Sequence, residues 1–246
     1  RAEKFLLHNN YKEQYMLTEY QKENLKDVVH DRPFINKKNG INVELHWTLS
    51  SSEFFMNLDK LDYFNNTISY NLKKQNLKVL SNEIHFIYLC IHGNKHMWER
   101  IEWLLDLTLF IKREKLDFKM ILSLSEKIDA ERIVLSTFIL CQCLFKIKIP
   151  YVLEEKKNSK LCQVSKKYIS KLSYDYSKIK ETSHSKQFSL IQWYMLKKFS
   201  YRIKYLKAMI TPTEKDYESI KLPKYLKYAY FLIRPLNIIF NSKKIK

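Results

Sequence analysis

Only two glycines, Gly40 and Gly93, occur in the 246 residues, against an ordinary usage of roughly 7%. Phosphate loops of the P-loop or dinucleotide-fold kind are thereby excluded, because they need several glycines to bring backbone N–H groups against phosphate. Cysteine is also scarce. Cys90, Cys141, Cys143 and Cys162 fall mostly in apolar periodic stretches, the usual place of free cysteine as a small buried hydrophobe, and this suits a reducing cytoplasm. Cys141 and Cys143 are two apart, an offset that on a helix separates the sulfurs, so no metal pair is expected there. Long apolar runs are missing too. The longest, Ile133 to Phe145, is interrupted by Ser136, Thr137 and Gln142 and falls short of the roughly 20 residues needed to span a bilayer. No signal peptide is visible, and the chain enters directly into the helical pattern Ala2-Glu3-Lys4-Phe5-Leu6-Leu7, so it reads as cut from a longer polypeptide.

Acidic residues are scarce in one half only. Residues 1–145 hold 20 Lys and Arg against 19 Asp and Glu, whereas residues 146–246 hold 24 against 7. A basic half suits nucleic acid, an anionic membrane surface or an acidic substrate; scattered lysines also simply solvate helical faces.

What is present begins with a strand. Ile41-Asn42-Val43-Glu44-Leu45-His46-Trp47 alternates, so Glu44 and His46 project from one face while Val43, Leu45 and Trp47 project from the other. Upstream, Asn39-Gly40 is a hairpin signal, since both residues tolerate positive φ. Residues 26–48 are therefore expected to form a β-hairpin whose second strand carries Glu44. Residues 1–9 read as a helix closed by Asn9-Asn10, and 11–25 fit either strand or helix. Ser50-Ser51-Ser52-Glu53 signals a helix through about Leu61, and from there the periodicity is helical almost to the end. Within it, Leu77–Leu80 reads as a linker, a helix starts near residue 82, Gly93 interrupts it, and Met97 to Lys112 continues. Asp117 caps a helix to about Ile128, and residues 129–144 form the most buried one, ended by Pro150. Residues 151–185 read as a polar helix with loops, Phe188–Met209 as a long basic amphipathic helix, Thr211-Pro212-Thr213-Glu214 as a helix start, and Leu222-Pro223 as the opening of a last helix to about Phe240. The expected fold is α+β: residues 1–75 an α/β portion with a small sheet, residues 76–246 a helical domain with a basic C-terminal half.

Several residues have the chemistry for a site. Glu44, a lone acid among apolar neighbours, suits a metal-binding or base carboxylate facing a cleft. His92 and His96 are four apart, a spacing that can bind metal from one helix face, but no Glu follows His92 as a zincin requires. Asp106, between Leu105 and Leu107, needs a partner if buried, and His92, His96 or Arg100 could supply it. Trp193, Tyr194, Tyr201 and Tyr205 lie among lysines, either as a stacking platform for bases or, at helical spacing, as core.

The string Val43-Glu44-Leu45-His46-Trp47, then Ile91-His92-Gly93, His96, Trp98, Arg100-Ile101, Trp103-Leu104 and Asp106-Leu107, then Thr211-Pro212, Asp216, Leu222-Pro223 and Ile233-Arg234-Pro235-Leu236 resembles a widespread bacterial family of uncharacterised nucleotidyltransferases, often encoded beside surface-polysaccharide or peptide biosynthesis genes. The resemblance implies a nucleotidyltransferase portion before a helical region, with Glu44 as the third carboxylate of a metal-binding triad and His46 and Trp47 lining or bracing that site. It implies Mg²⁺ and a nucleoside triphosphate as cofactor and substrate, an unidentified acceptor, and pocket residues His92, His96, Arg100 and Asp106. Family members carry a Gly-Ser turn and an Asp-x-Asp strand upstream; neither is found in this sequence, so the chain as given is expected to be catalytically incomplete. The alternative is a non-enzymatic basic helical module that docks on nucleic acid or a protein partner, with membrane attachment through residues 222–246 as a third reading.

Overall fold

The computed structural model describes residues 1–15, 17–25, 31–49, 56, 58–169, 189–213, 216–217, 220 and 222–234. The fold is α+β: two small antiparallel sheets and a mainly helical body. The chain divides into two compact units. One is formed by residues 1–55, 184–188 and 203–246, the other by residues 56–183 and 189–202.

In the first unit, α1 (Ala2–His8) ends at Asn9, and Asn10 takes the expected left-handed conformation at φ 67°. The ambiguous stretch resolves into both candidates: β1 (Tyr11–Glu13) and α2 (Glu19–Leu25). The helix starts there because Thr18 and Gln21 form a capping box, each side chain accepting from the other's backbone N–H at 3.3 and 2.9 Å. β2 (Asp31–Asn36) and β3 (Asn42–His46) then form the expected hairpin, in a sheet of order β1-β2-β3. Residues 26–30 lie outside the described residues.

The hairpin turn is longer than Asn39-Gly40 suggests. Asn36 pairs with Ile41, the Gly40 N–H donates to the Asn36 carbonyl, and of the two residues only Gly40 has positive φ, 72°. The Asn36 side chain accepts from the Lys38 and Asn39 N–H groups and holds the turn. Pro33 is tolerated in the central strand because its position lies opposite Gln14, just past the end of β1, and its carbonyl accepts from the Gln14 N–H at 3.0 Å.

The C-terminal part of this unit is held by a buried ion pair. Asp216 caps a turn, its carboxylate accepting from both the N–H and the hydroxyl of Thr213 at 2.8 Å, while its own N–H donates to the Thr213 carbonyl. The same carboxylate meets Arg234 at 3.4 Å, and both side chains are buried. Beside it Tyr217 and Tyr230 pack edge to face with Leu25, Leu17, Leu222 and Ile233, and the Tyr230 hydroxyl donates to the Ile220 carbonyl while accepting from the Leu222 N–H. The expected last helix opens as a 3-10 turn over Lys224–Ala229, kinked at Leu226, and is α-helical over residues 230–234; residues 235–240 lie outside the described residues.

In the second unit the expectation of unbroken helix after residue 61 fails. Of the helix expected over residues 53–61, residues 53–55 and 57 lie outside the described residues, and Leu58–Leu61 form a 3-10 turn. β4 (Thr67–Leu72) and β5 (Gln75–Leu80) then form a second hairpin, so Leu77–Leu80 is strand and not linker. Its turn is two lysines, Lys73 and Lys74, both at positive φ, a place usually taken by Asn or Gly.

The helical body comprises α3 (Asn82–Lys95), α4 (Ile101–Arg113), α5 (Phe118–Lys127), α6 (Glu131–Phe145), α7 (Tyr151–Glu154), α8 (Ser159–Ile169) and α9 (Leu190–Met195), with α10 (Phe199–Ile210) continuing into the first unit. Gly93 does not interrupt α3. It is there because the Trp98 ring, 1% exposed, lies against its α-carbon, where a Cβ would overlap the ring. Met97 and Trp98, both at positive φ, reverse the chain before α4, so the helix expected from Met97 begins only at Ile101. Asp117 caps α5 as expected, accepting from the Lys119 and Met120 N–H groups. α6 is the most buried helix; it stops at left-handed Lys146, and Pro150 caps α7 instead of ending α6. The long basic helix expected over 188–209 is broken at Leu196, whose carbonyl accepts from Arg202 Nε at 3.0 Å. Cys90 and Cys141 are buried, and burial raises both thiols, Cys141 to about 11, keeping them protonated. Among the described residues no helix is long and apolar enough to cross a membrane.

Gly93→Ala drives a methyl into the Trp98 ring and should lower stability by about 1–3 kcal/mol, read as a fall in the denaturant midpoint. Asp216→Ala leaves the Arg234 cation buried without its carboxylate and should cost about 3–5 kcal/mol. Replacing both partners, Asp216→Leu with Arg234→Met, should recover most of that loss in the same melt.

Candidate functional site

The hairpin register decides which side chains meet. Closure at Asn36 and Ile41 makes Asp31 the partner of His46 and Pro33 the partner of Glu44. Both are non-hydrogen-bonded pairs, in which facing side chains come closest. Phe34, paired with Val43, points the other way and is fully buried, whereas Glu44 and His46 are exposed, so the face expected to be wet is wet.

On that face Glu44 Oε2 lies 3.4 Å from His46 Nε2. One ligand atom each from Asp31, Glu44 and His46 lies within 4.8 Å of the others. Cis donors around a divalent ion at about 2.1 Å sit roughly 3 Å apart, so small side-chain rotations bring these three around one ion. Two carboxylate oxygens and an imidazole nitrogen form a hard to borderline donor set of the kind that can hold a divalent metal ion. Asp31 escaped the sequence reading. It would have been found by extending the alternation back across the turn, but only with the true loop length. Trp47 follows the end of β3 and is 41% exposed.

The remaining residues singled out from the sequence gather in the helical unit. α3 and α4 enclose a hollow of about 230 Å³ lined by Tyr88, Leu89, His92, Gly93, Trp103, Asp106 and Leu107. The His92 and His96 rings are 4.8 Å apart, and each meets Trp103 edge-on. His96 Nδ1 is 3.7 Å from Glu99, whose carboxyl burial pushes upward against the opposing pull of Arg100. The Arg100 guanidinium stands 5.7 Å from the Trp103 ring centre. Asp106 is not buried: the helical period turns Leu104, Leu107 and Thr108 inward and leaves Leu105 and Asp106 exposed, so the carboxylate sits at the rim and needs no internal partner.

The aromatic platform among the lysines is largely absent. Tyr201 and Tyr205 are buried. Trp193 stands under Arg202, and Tyr194 under Arg132 and Lys160, while Lys197 and Lys198 are engaged by Glu131 and Asp129.

No curated protein and no solved structure matches this chain. The model of one family, described as uncharacterised nucleotidyltransferase, matches residues 1–146. That stretch contains both the wet face of β2 and β3 and the hollow between α3 and α4, and it exceeds half of the chain: the protein belongs to the uncharacterised nucleotidyltransferase family.

Proposed function

We propose that this protein takes part in divalent-metal-dependent nucleotidyl transfer from a nucleoside triphosphate to an acceptor, with Glu44 at the centre of the metal site. The reading rests on one observation, the convergence of Asp31, Glu44 and His46 on the solvent face of the β2–β3 hairpin. Asp31 and Glu44 supply hard oxygen donors, and His46, 3.4 Å from Glu44, joins as the third donor. Asp31 then provides, within this chain, a carboxylate in addition to Glu44. A bound Mg²⁺ or Mn²⁺ would draw charge from the triphosphate oxygens and orient the α-phosphorus toward the acceptor hydroxyl, with pyrophosphate leaving.

In this reading the sheet-bearing unit carries the metal chemistry, and the helical unit, residues 56–183 and 189–202, selects the acceptor. The hollow lined by Tyr88, His92, Trp103 and Asp106 is smaller than the roughly 300–1,000 Å³ typical of drug-sized ligands. It fits a single ring stacked on Trp103 with a polar edge toward Asp106, and His96 and Arg100 brace the Trp103 side of it.

Mn²⁺ titration followed by electron paramagnetic resonance tests the metal site directly. Glu44→Gln should weaken Mn²⁺ about tenfold or more with an unchanged far-ultraviolet spectrum, and Asp31→Asn should weaken it in the same direction. Equal affinity in Glu44→Gln and the parent chain sinks the reading. Asp106→Asn should leave both Mn²⁺ affinity and stability unchanged, the latter within about 0.5 kcal/mol because the side chain is exposed, while weakening the retention of nucleotide or acceptor in equilibrium dialysis.

A further inference from the structure

The β4–β5 hairpin carries an apolar ladder that the helical body leaves open. Register pairs Ile68 with Val79 and Tyr70 with Leu77, and Leu72 continues the row on β4. All five lie on one face and are 36–55% exposed, and nearly the whole length of both strands is exposed. A contiguous exposed apolar face marks an interaction surface.

Its charge says what the surface meets. Thr67–Leu80 contains Lys73, Lys74 and Lys78 and no acid. Lys73 and Lys74 form the turn at φ 45° and 71°, a conformation that disfavours side chains with a Cβ and that Asn-Gly would adopt with less strain. Strain held at such a point is a pointer to function, and here it places two cations at the tip of an apolar arm.

We propose that the β4–β5 hairpin is a peripheral anchor for an anionic lipid surface. Ile68, Tyr70, Leu72, Leu77 and Val79 enter the boundary between headgroups and acyl chains. Tyr70 suits that boundary, having an apolar ring and a polar tip. Lys73 and Lys74, at the tip, extend their ammonium groups to lipid phosphates from flexible apolar stems, while Lys78, paired with Ser69, lies on the opposite face. The arm lies on the bilayer without spanning it. This inference does not depend on the nucleotidyl-transfer reading, since none of its residues belongs to either candidate site.

The test is co-sedimentation of the full chain with phosphatidylcholine vesicles with and without phosphatidylglycerol. Because the whole chain is basic, the decisive variant preserves charge: Ile68→Thr, Tyr70→Thr and Leu77→Thr together, which retain strand propensity. It should bind phosphatidylglycerol vesicles about tenfold or more weaker than the parent. Lys73→Asn with Lys74→Gly keeps the turn, removes its two cations, and should also lose affinity while the fold is retained by circular dichroism. Unchanged vesicle affinity in the threonine variant overturns the proposal. So does a threonine variant that changes only from dimer to monomer in sedimentation velocity, which would make a second copy of the chain the occupant of the ladder.

Discussion

The register of one hairpin underlies the metal chemistry proposed for this chain. Because side chains alternate along a strand, a one-residue slip of β3 against β2 would turn Glu44 and His46 toward the face where Phe34 is buried and send Val43 and Leu45 into water. The slip is opposed from both ends. The turn is fixed by the left-handed Gly40 and by the Asn36 side chain, and the apolar partners of Phe34 have only one side on which to pack. Asp31, thirteen residues away along the chain from Glu44, joins it only because this register holds.

The helical unit relies on a different device to similar effect. Trp98 folds back against Gly93, and this contact fixes the reversal through which α3 and α4 bring His92, Trp103 and Asp106 around one hollow. A tryptophan ring on the α-carbon of a helical glycine allows closer approach than any side chain at position 93 would permit. The imidazoles of His92 and His96 are then spaced by helix geometry and oriented by their edge contacts with Trp103.

Much of this was legible in the sequence. Alternation around Glu44 and the glycine at position 40 located the first hairpin and its wet face, and Asp117 located the start of α5. Asp31 was hidden because opposition across a hairpin depends on loop length, and Asn39-Gly40 suggests a shorter turn than the one formed. The second hairpin was hidden although its apolar residues alternate, because its turn consists of two lysines where the usual signal is Asn or Gly. Gly93 was misread as a break since sequence alone does not show the ring that packs on it. Whether Asp106 is buried does not follow from its two leucine neighbours: the 3.6-residue period puts positions 104 and 107 inside and 106 outside. The family model ends at residue 146, and the physical content of the C-terminal string from Thr211 to Arg234, an Asp216 carboxylate that caps Thr213 and meets a buried Arg234, emerges only in three dimensions.

The first unit draws on both ends of the chain, with residues 1–55 and residues from 203 onward contributing to one compact body while the helical unit is inserted between them. Leu25 packs with Tyr217 and Tyr230 across nearly two hundred intervening residues, so its closure carries a high loop entropy and follows the more local helical contacts. During synthesis the helical unit can collapse on its own local contacts, whereas Leu17 and Leu25 must wait for Tyr217 and Tyr230 before they are covered. Ribosome stalling before residue 217 would therefore release a molecule with a formed helical body and Leu25 stripped of its tyrosine partners, a species suited to capture by chaperones.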